Sequence, residues 1–337
     1  MRLARIPTMM DFVNNGFIDP HLFIDYAGSY YEFLKKMDKE YTELLPAHRT
    51  SLQFISCEFS HGWRMHEVLL LKLLLENDAI SLESFTNELK LKNVNFDGNV
   101  NRIIKVLSID YYRQEDQKKY GNISYIVFDN KSKIIKKTDY FSDLLKDITY
   151  KTHITDVLDY AITKAQIKPN EILGDDNLIY YRKYSRKDVF KIMNFDKDQN
   201  PQNVGGYIIQ EVDGRKKCPV FVTYEKSDDI VSSTKYKDYF IDNTRFNWMS
   251  KNKRYINSPD VDAILHQREN NIQIELFIKK DDNEGTDFYY IGKMKTDFDS
   301  KEQTQIPNEK GQLLPVVNLQ FDIFPAVPQN LYNYLEA

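Results

Sequence analysis

The spacing of apolar residues changes once along this chain of 337 residues, and the change falls at Lys168–Pro169. Before it, apolar side chains recur at the three- and four-residue intervals of helices. After it, they alternate with polar ones as in half-buried strands. A proline also pushes the residue before it out of helical geometry, so Lys168–Pro169 is a natural break. The fold class is therefore α+β, with a mostly helical domain over residues 1–167 and a β-rich domain over 168–337.

In the first half, Tyr26–Tyr41 carries helical spacing and ends near Pro46. Arg64–Glu76 is apolar almost throughout and predicts a central, buried helix. Ser81 is an N-cap for a helix over Leu82–Lys90. Asp97–Gly98 opens a third, with Val100, Ile103, Ile104 and Leu107 on one face. Two β-rich runs follow, Ile123–Phe128 and Lys133–Thr138, around a turn at Asp129–Ser132. Three helices and a hairpin form a winged-helix-like arrangement, which serves DNA binding in some proteins and domain packing in others. The third helix offers only Arg102 and Lys105 as cations. A helical segment over Asp139–Ile167 leads to the boundary.

In the second half, Leu178–Tyr184 is strand-like and Ser185 caps a short helix with Val189, Ile192 and Met193 inward. Gly206–Glu211 and Cys218–Tyr224 flank Asp213–Gly214, a hairpin turn. Ser258–Pro259 opens a helix that runs to about His266. Ile272–Lys279, Asp287–Lys293 and Leu313–Phe324 supply further strands. These elements predict an antiparallel β-barrel with short helices.

Charge limits the partners. The chain carries 46 Lys+Arg against 50 Asp+Glu, with 23 of each sign up to Lys168 and 23 against 27 beyond it. Neither half is basic, so any nucleic-acid surface must be local, with acidic residues segregated elsewhere. Two distant cysteines, Cys57 and Cys218, imply no disulfide framework and fit a reducing cytoplasm. The start has no signal-peptide core, and the greasiest run, Val68–Leu75, is too short for a membrane span. The opening run Leu3–Pro20 reads as a segment that follows a missing preceding domain.

Several chemistries are missing. There is no GxxxxGK[ST] phosphate loop, no GxSxG elbow, no HExxH and no HxK pair. The chain alone is expected to be no enzyme. His48, Cys57, His61 and His66 are all capable zinc ligands, but their spacing matches no familiar finger, and Gly62 interrupts the helix on which Cys57 and His61 would share a face. No metal site is expected. Asp260, Glu275 and Lys279 suggest a restriction-type nuclease, but Lys279 lies four residues after Glu275 where that chemistry needs two. Paired glycines in Asn203-Val-Gly-Gly-Tyr207 permit close backbone approach or a simple corner.

One segment does point to chemistry. Thr244–Tyr255, TRFNWMSKNKRY, sets Arg245, Lys251, Lys253 and Arg254 among Phe246, Trp248 and Tyr255 with no acidic residue between. Cations neutralise phosphates and aromatic faces stack on unpaired bases. The competing reading is a surface loop that pins its aromatics into the core.

The runs YSRKDVFKIMNF, NVGGY, CPVFVTYEK, STKYKDYF, RFNWMS and LFIKKDDNEGTDFYYIGK, from Tyr184 to Lys293, resemble the C-terminal domain of the SauUSI-like type IV, modification-dependent restriction enzymes. IPTMMDFVNNGFIDP resembles the segment that follows the superfamily 2 helicase core in those proteins. The resemblance is specific in the second half and weaker over Tyr41–Ile167. It implies that the chain is a coupler and SRA/PUA-like recognition domain lacking the nuclease and the motor. It also implies double-stranded DNA containing 5-methylcytosine or 5-hydroxymethylcytosine as partner. The missing nuclease and helicase domains would be the other partners, with ATP and magnesium serving only the full-length enzyme.

Reading a modified base by extruding it needs aromatic faces, an edge reader and room for a methyl group. Tyr207, Tyr224, Phe246, Trp248 and Tyr290 are the aromatic candidates, and Asp281 or Asp282 the acceptor for the cytosine amino group. Arg245, Ser250, Lys251, Lys253, Arg254 and Lys226 are the phosphate candidates. The alternative function is a protein-interaction scaffold that couples a helicase motor to its partner domains without reading the base.

Overall fold

In a computed structural model, which describes residues 5–16, 18–40, 42–200, 204–224, 238–308 and 310–337, the helix Met65–Glu76 is buried on nearly every side. Its sequence is apolar all round for that reason. The helices Pro46–Phe59 and Ile148–Ala165 pack against the same core. Arg64, itself buried, closes the N-terminal end of Met65–Glu76 by a two-pronged ion pair to Glu67, at 2.6 and 2.8 Å. Just before it the chain turns at Gly62, φ +73°, against Ala161 of Ile148–Ala165. A Cβ there would lie 2.3 Å from the Ala161 carbonyl oxygen.

The helix expected over Tyr26–Tyr41 is two helices, His21–Ala27 and Tyr30–Lys36. Gly28 ends the first with φ +86°, and the Ser29 hydroxyl caps the second by accepting the Glu32 N–H at 3.2 Å. Among the described residues of the first half, the strands are β1 (Ala79–Ser81), β2 (Ile126–Asp129) and β3 (Ile134–Lys137), antiparallel in the order β1–β3–β2. Helices Leu82–Leu91, Val100–Val106 and Gln114–Tyr120 lie between β1 and β2 in sequence. The Ser81 hydroxyl accepts the Ser84 N–H at 3.0 Å. Ser81→Ala is therefore expected to destabilise the N-terminal unit by about 1 kcal/mol, read as a shift in its thermal midpoint, while Ser84→Ala, which keeps the capping oxygen, leaves it within a few tenths.

The chain divides into two compact units, Met1–Lys168 and Pro169–Ala337. The second holds β4 (Lys183–Tyr184), β5 (Gln210–Val212), β6 (Arg215–Thr223), β7 (Tyr239–Asp242), β8 (Arg245–Met249), β9 (Ile272–Lys279), β10 (Phe288–Pro307) and β11 (Leu313–Phe324). They form one sheet in the order β5–β6–β9–β10–β11–β8–β7, with β4 paired to β10. This corrects the expected antiparallel barrel. The sheet is open, with β5 and β7 at its ends, and mixed, because β6 and β9 run parallel over eight residue pairs. The physical reason is the connection. The chain between Thr223 and Ile272 carries β7, β8 and helix Pro259–Leu265, and a crossover of that length allows parallel neighbours where a hairpin cannot. Alternation tells which face a residue takes, not which strand lies beside it.

Both faces of the sheet are covered. On one, Val220, Ile274, Leu276, Trp248 and Phe321 pack with Val261 and Ile264 of Pro259–Leu265 and with Leu335 of Gln329–Glu336. On the other, Phe221 meets Phe190 of Arg186–Ile192 and stacks on Phe277. No helix among the described residues is long and apolar enough to cross a membrane.

Candidate nucleic-acid interface

Alternation along β8 sends Phe246 and Trp248 to the same face of the sheet, and that face is core. Trp248 is 2% exposed and packs edge-on against Tyr207 (centroids 5.0 Å) and Phe321 (5.7 Å). Phe246 is fully buried against Phe240. Past β8 the chain stays along β11, with the Ser250 N–H donating to the Val317 carbonyl and the Arg254 N–H to that of Pro315. Ser250 is buried there, its hydroxyl accepting the Val317 N–H at 2.9 Å, so it is unavailable to a phosphate. Lys251 then places its ammonium 4.5 Å over the Tyr207 ring.

Tyr207, Arg254 and Asp260 form one hydrogen-bonded group. The Tyr207 hydroxyl and Arg254 Nε both donate to Asp260 Oδ2 at 2.7 Å. Burial works against the Asp260 charge, but the bonds from Arg254 and Tyr207 outweigh it and hold the carboxyl below its usual range. Burial, then the Asp260 acceptor, pushes the Tyr207 phenol up. Burial lowers the Lys251 ammonium.

Beside this group lies a pocket of about 410 Å³, within the size range of small-ligand sites. Its walls include Arg186, Gly206, Tyr207, Trp248, Lys251 and Asp282. The glycine pair forms one side. Gly205 has φ +55°, and a Cβ on it would stand 3.4 Å from Lys251 Cε. Four of the residues singled out in the sequence, Tyr207, Trp248, Lys251 and Asp282, thus meet at one cavity.

The others lie elsewhere. Tyr290 is fully buried, donates to Glu275 Oε2 at 2.6 Å and stacks on Tyr180. The Tyr224 hydroxyl is bonded to Glu336 and accepts the Phe240 N–H at 3.2 Å, and its ring stacks on Phe240. Asp281 caps the short turn Asp282–Glu284 by accepting the Asn283 and Glu284 N–H groups. Arg245 pairs with Asp242 at 3.0 Å. Lys253 is exposed and has no carboxylate partner among the described residues. Lys226 lies outside the described residues. The expected segregation of acidic residues from this segment does not hold, because Arg245 and Arg254 each carry an aspartate of their own.

The residues weighed for a nuclease are dispersed. Asp260 belongs to Tyr207 and Arg254, Glu275 to Tyr290 and Gln273, and Lys279 to Asp282 and the Gly285 carbonyl. Among the described residues, no three of His, Cys, Asp and Glu gather as a metal-holding group. His61 stacks on Trp63 and lies tilted against His21, His66 bonds the Asn95 carbonyl, and His48 packs against Tyr150.

Sequence reasoning missed Arg186. It sits in the run YSRKDVFKIMNF between other charged residues, and nothing local separates it from them. Only the fold carries it to the pocket: Phe190 of its helix packs on Phe221, and the Arg186 guanidinium lies over the Phe221 and Phe288 rings.

Comparison with known families places both units. Residues 1–169 match the family described as Domain of unknown function (DUF8090), and residues 178–335 match Domain of unknown function (DUF3427). The first match spans half the chain, and the chain belongs to the DUF8090 family. No curated protein matches it. Among solved structures it is similar to the sulfur binding domain and SRA domain of ScoMcrA complexed with phosphorothioated DNA, at 8% identity over 83% of this chain and 96% of that one. The TM-score is 0.28, a likeness too loose to say anything of this chain's ligand.

Proposed function

We propose that this chain recognises duplex DNA carrying a 5-modified cytosine and targets a modification-dependent restriction enzyme to it. The observation that supports this reading is the pocket itself. It joins aromatic walls, Tyr207 and Trp248, to two carboxylates (Asp238 and Asp282), two cations and a glycine pair in one cavity. That is the chemistry an extruded base requires: apolar surface for its ring, polar groups for its edge and charge for the adjoining phosphate. Lys251 at the rim and Lys253 beside it are the phosphate contacts. The sequence resemblance to SauUSI-like type IV enzymes leads to the same substrate, 5-methylcytosine or 5-hydroxymethylcytosine.

In this reading the N-terminal unit is the coupler. A helix, a strand, three further helices and a hairpin, with sheet order β1–β3–β2, support its winged-helix-like description. Cleavage and ATP hydrolysis belong to domains other than these two, since no phosphate loop or nuclease set is present in the sequence.

The test is a binding titration with duplexes identical except for one cytosine, which is unmodified, 5-methylated or 5-hydroxymethylated. A modified duplex is expected to bind at least ten-fold more tightly at moderate salt, with both affinities falling as salt rises. Lys253→Ala should weaken modified and unmodified DNA alike, because phosphate contacts carry no base information. Equal affinity for all three duplexes would remove the reading. Failure to bind any DNA, combined with tight binding to a helicase fragment, would replace it with the scaffold.

A further inference from the structure

Most cations around the pocket are already engaged. Arg254 is bonded to Asp260, Lys279 to Asp282, and Lys251 lies over Tyr207. Arg186 differs. Its guanidinium is held by aromatic faces, 5.3 Å over Phe221 and 5.0 Å over Phe288, not by a carboxylate. Among the described residues its Nε, which is buried, has no hydrogen-bond partner. Asp282, on the same pocket wall, is the charge that acts on it at longer range. Asp282 gives Oδ1 to Lys279 at 2.7 Å, and its carboxylate has a second oxygen. The cavity therefore presents a fork of N–H donors and a carboxylate acceptor together. A buried donor with nothing to bond is costly unless a ligand completes it.

Resting on the function proposed above, we propose that Arg186, with Asp282, is the edge reader that distinguishes a modified cytosine from thymine. The distinction is needed because 5-methylcytosine and thymine share ring size, stacking surface and the 5-methyl group. Aromatic walls accept both. They differ along the pairing edge. 5-Methylcytosine offers an amino donor at N4 and acceptors at N3 and O2, whereas thymine offers an acceptor at O4, a donor at N3 and an acceptor at O2. The guanidinium fork donates two parallel bonds and matches the adjacent N3 and O2 acceptors. Asp282 accepts from N4. Thymine would set its N3–H against the guanidinium donors and its O4 against the carboxylate. A site built around hydrogen bonds rejects such an analogue strongly, because its own buried groups are left unpaired.

The test uses the full chain and three duplexes that differ at one base opposite guanine: 5-methylcytosine, unmodified cytosine or thymine. The wild type is expected to prefer 5-methylcytosine over thymine by roughly ten- to a hundred-fold, the discrimination of a good bidentate contact. The thymine–guanine mismatch opens more easily than a matched pair, so this preference runs against the cost of extrusion. Arg186→Gln should reduce that ratio to near one. It should leave the ratio of 5-methylcytosine to unmodified cytosine unchanged, because those two bases share an edge. An Arg186→Gln protein that keeps the thymine discrimination overturns the role of Arg186. A wild type indifferent to methylation removes the underlying reading, whatever the variant does. If Arg186→Gln unfolds, the wild-type protein is titrated with 3-deaza-5-methylcytosine, which lacks the N3 acceptor. A ten-fold loss supports the inference and unchanged affinity overturns it.

Discussion

Trp248→Ala is expected to lower the stability of the C-terminal unit by about 3–5 kcal/mol, the range for truncating a large buried aromatic. The residue is 2% exposed, and its backbone is paired to Leu319 of β11 near the end of the sheet. Its ring is the shared neighbour of Tyr207 and Phe321, so truncation leaves two large aromatics facing a void. The same ring forms a wall of the pocket, which gives the experiment two readouts. Urea unfolding reports the core role. The binding ratio between methylated and unmodified DNA, measured on the same protein well below its midpoint, reports the pocket role. Trp248→Phe, which retains most of the apolar volume, should lose about 1 kcal/mol and keep binding. A Trp248→Ala protein with an unchanged midpoint would show that the ring carries no core packing and serves only as a stacking surface.

The two roles of Trp248 show how far the residues alone could lead. TRFNWMSKNKRY contributes Trp248 and Lys251 to the walls of the pocket. Strand alternation already separates Phe246 and Trp248 from Arg245, so the core placement of these aromatics was readable once the strand was assigned. Local chemistry is equally legible: Ser185 accepts the Asp188 N–H, and Asp213–Gly214 turns between β5 and β6. What could not be read are relations between distant segments. The carboxylate that neutralises Arg254, a cation counted as available for phosphate, is held by Tyr207, which lies far from Asp260 in sequence. The parallel pairing of β6 with β9 depends on where a long connection lands. Arg186 reaches the pocket only because its helix packs on Phe221, and no spacing rule connects positions 186, 207 and 282.

Glu275 carries the second large effect, and its sign is opposite to that of an ordinary surface carboxylate. It lies in the middle of β9, fully buried. Burial pushes its carboxyl up from 4.5 to about 7, although Tyr290 and Gln273 donate to it at 2.6 Å each and pull the other way. The charges that face it are Asp176, which raises it further, and Lys293, which opposes that while itself paired to Asp175. With the folded value above the unfolded one, the native state holds a proton that the unfolded chain has released. Stability from this group is therefore fully present below about pH 4.5 and is lost as pH rises to about 7, by about 3 kcal/mol in all. Asp242 and Asp260, held below their usual range, act in the reverse sense at lower pH. Glu275→Gln separates the two contributions, since the amide oxygen still accepts from Tyr290 and the side chain no longer titrates. Unfolding of the C-terminal unit in urea is to be measured at pH 5 and pH 8 for both proteins. The wild type is expected to lose about 2–3 kcal/mol more than the variant across that interval, with the variant the more stable at pH 8. Parallel behaviour of the two proteins would mean that Glu275 is charged in the fold at pH 5, with Tyr290 and Gln273 outweighing its burial.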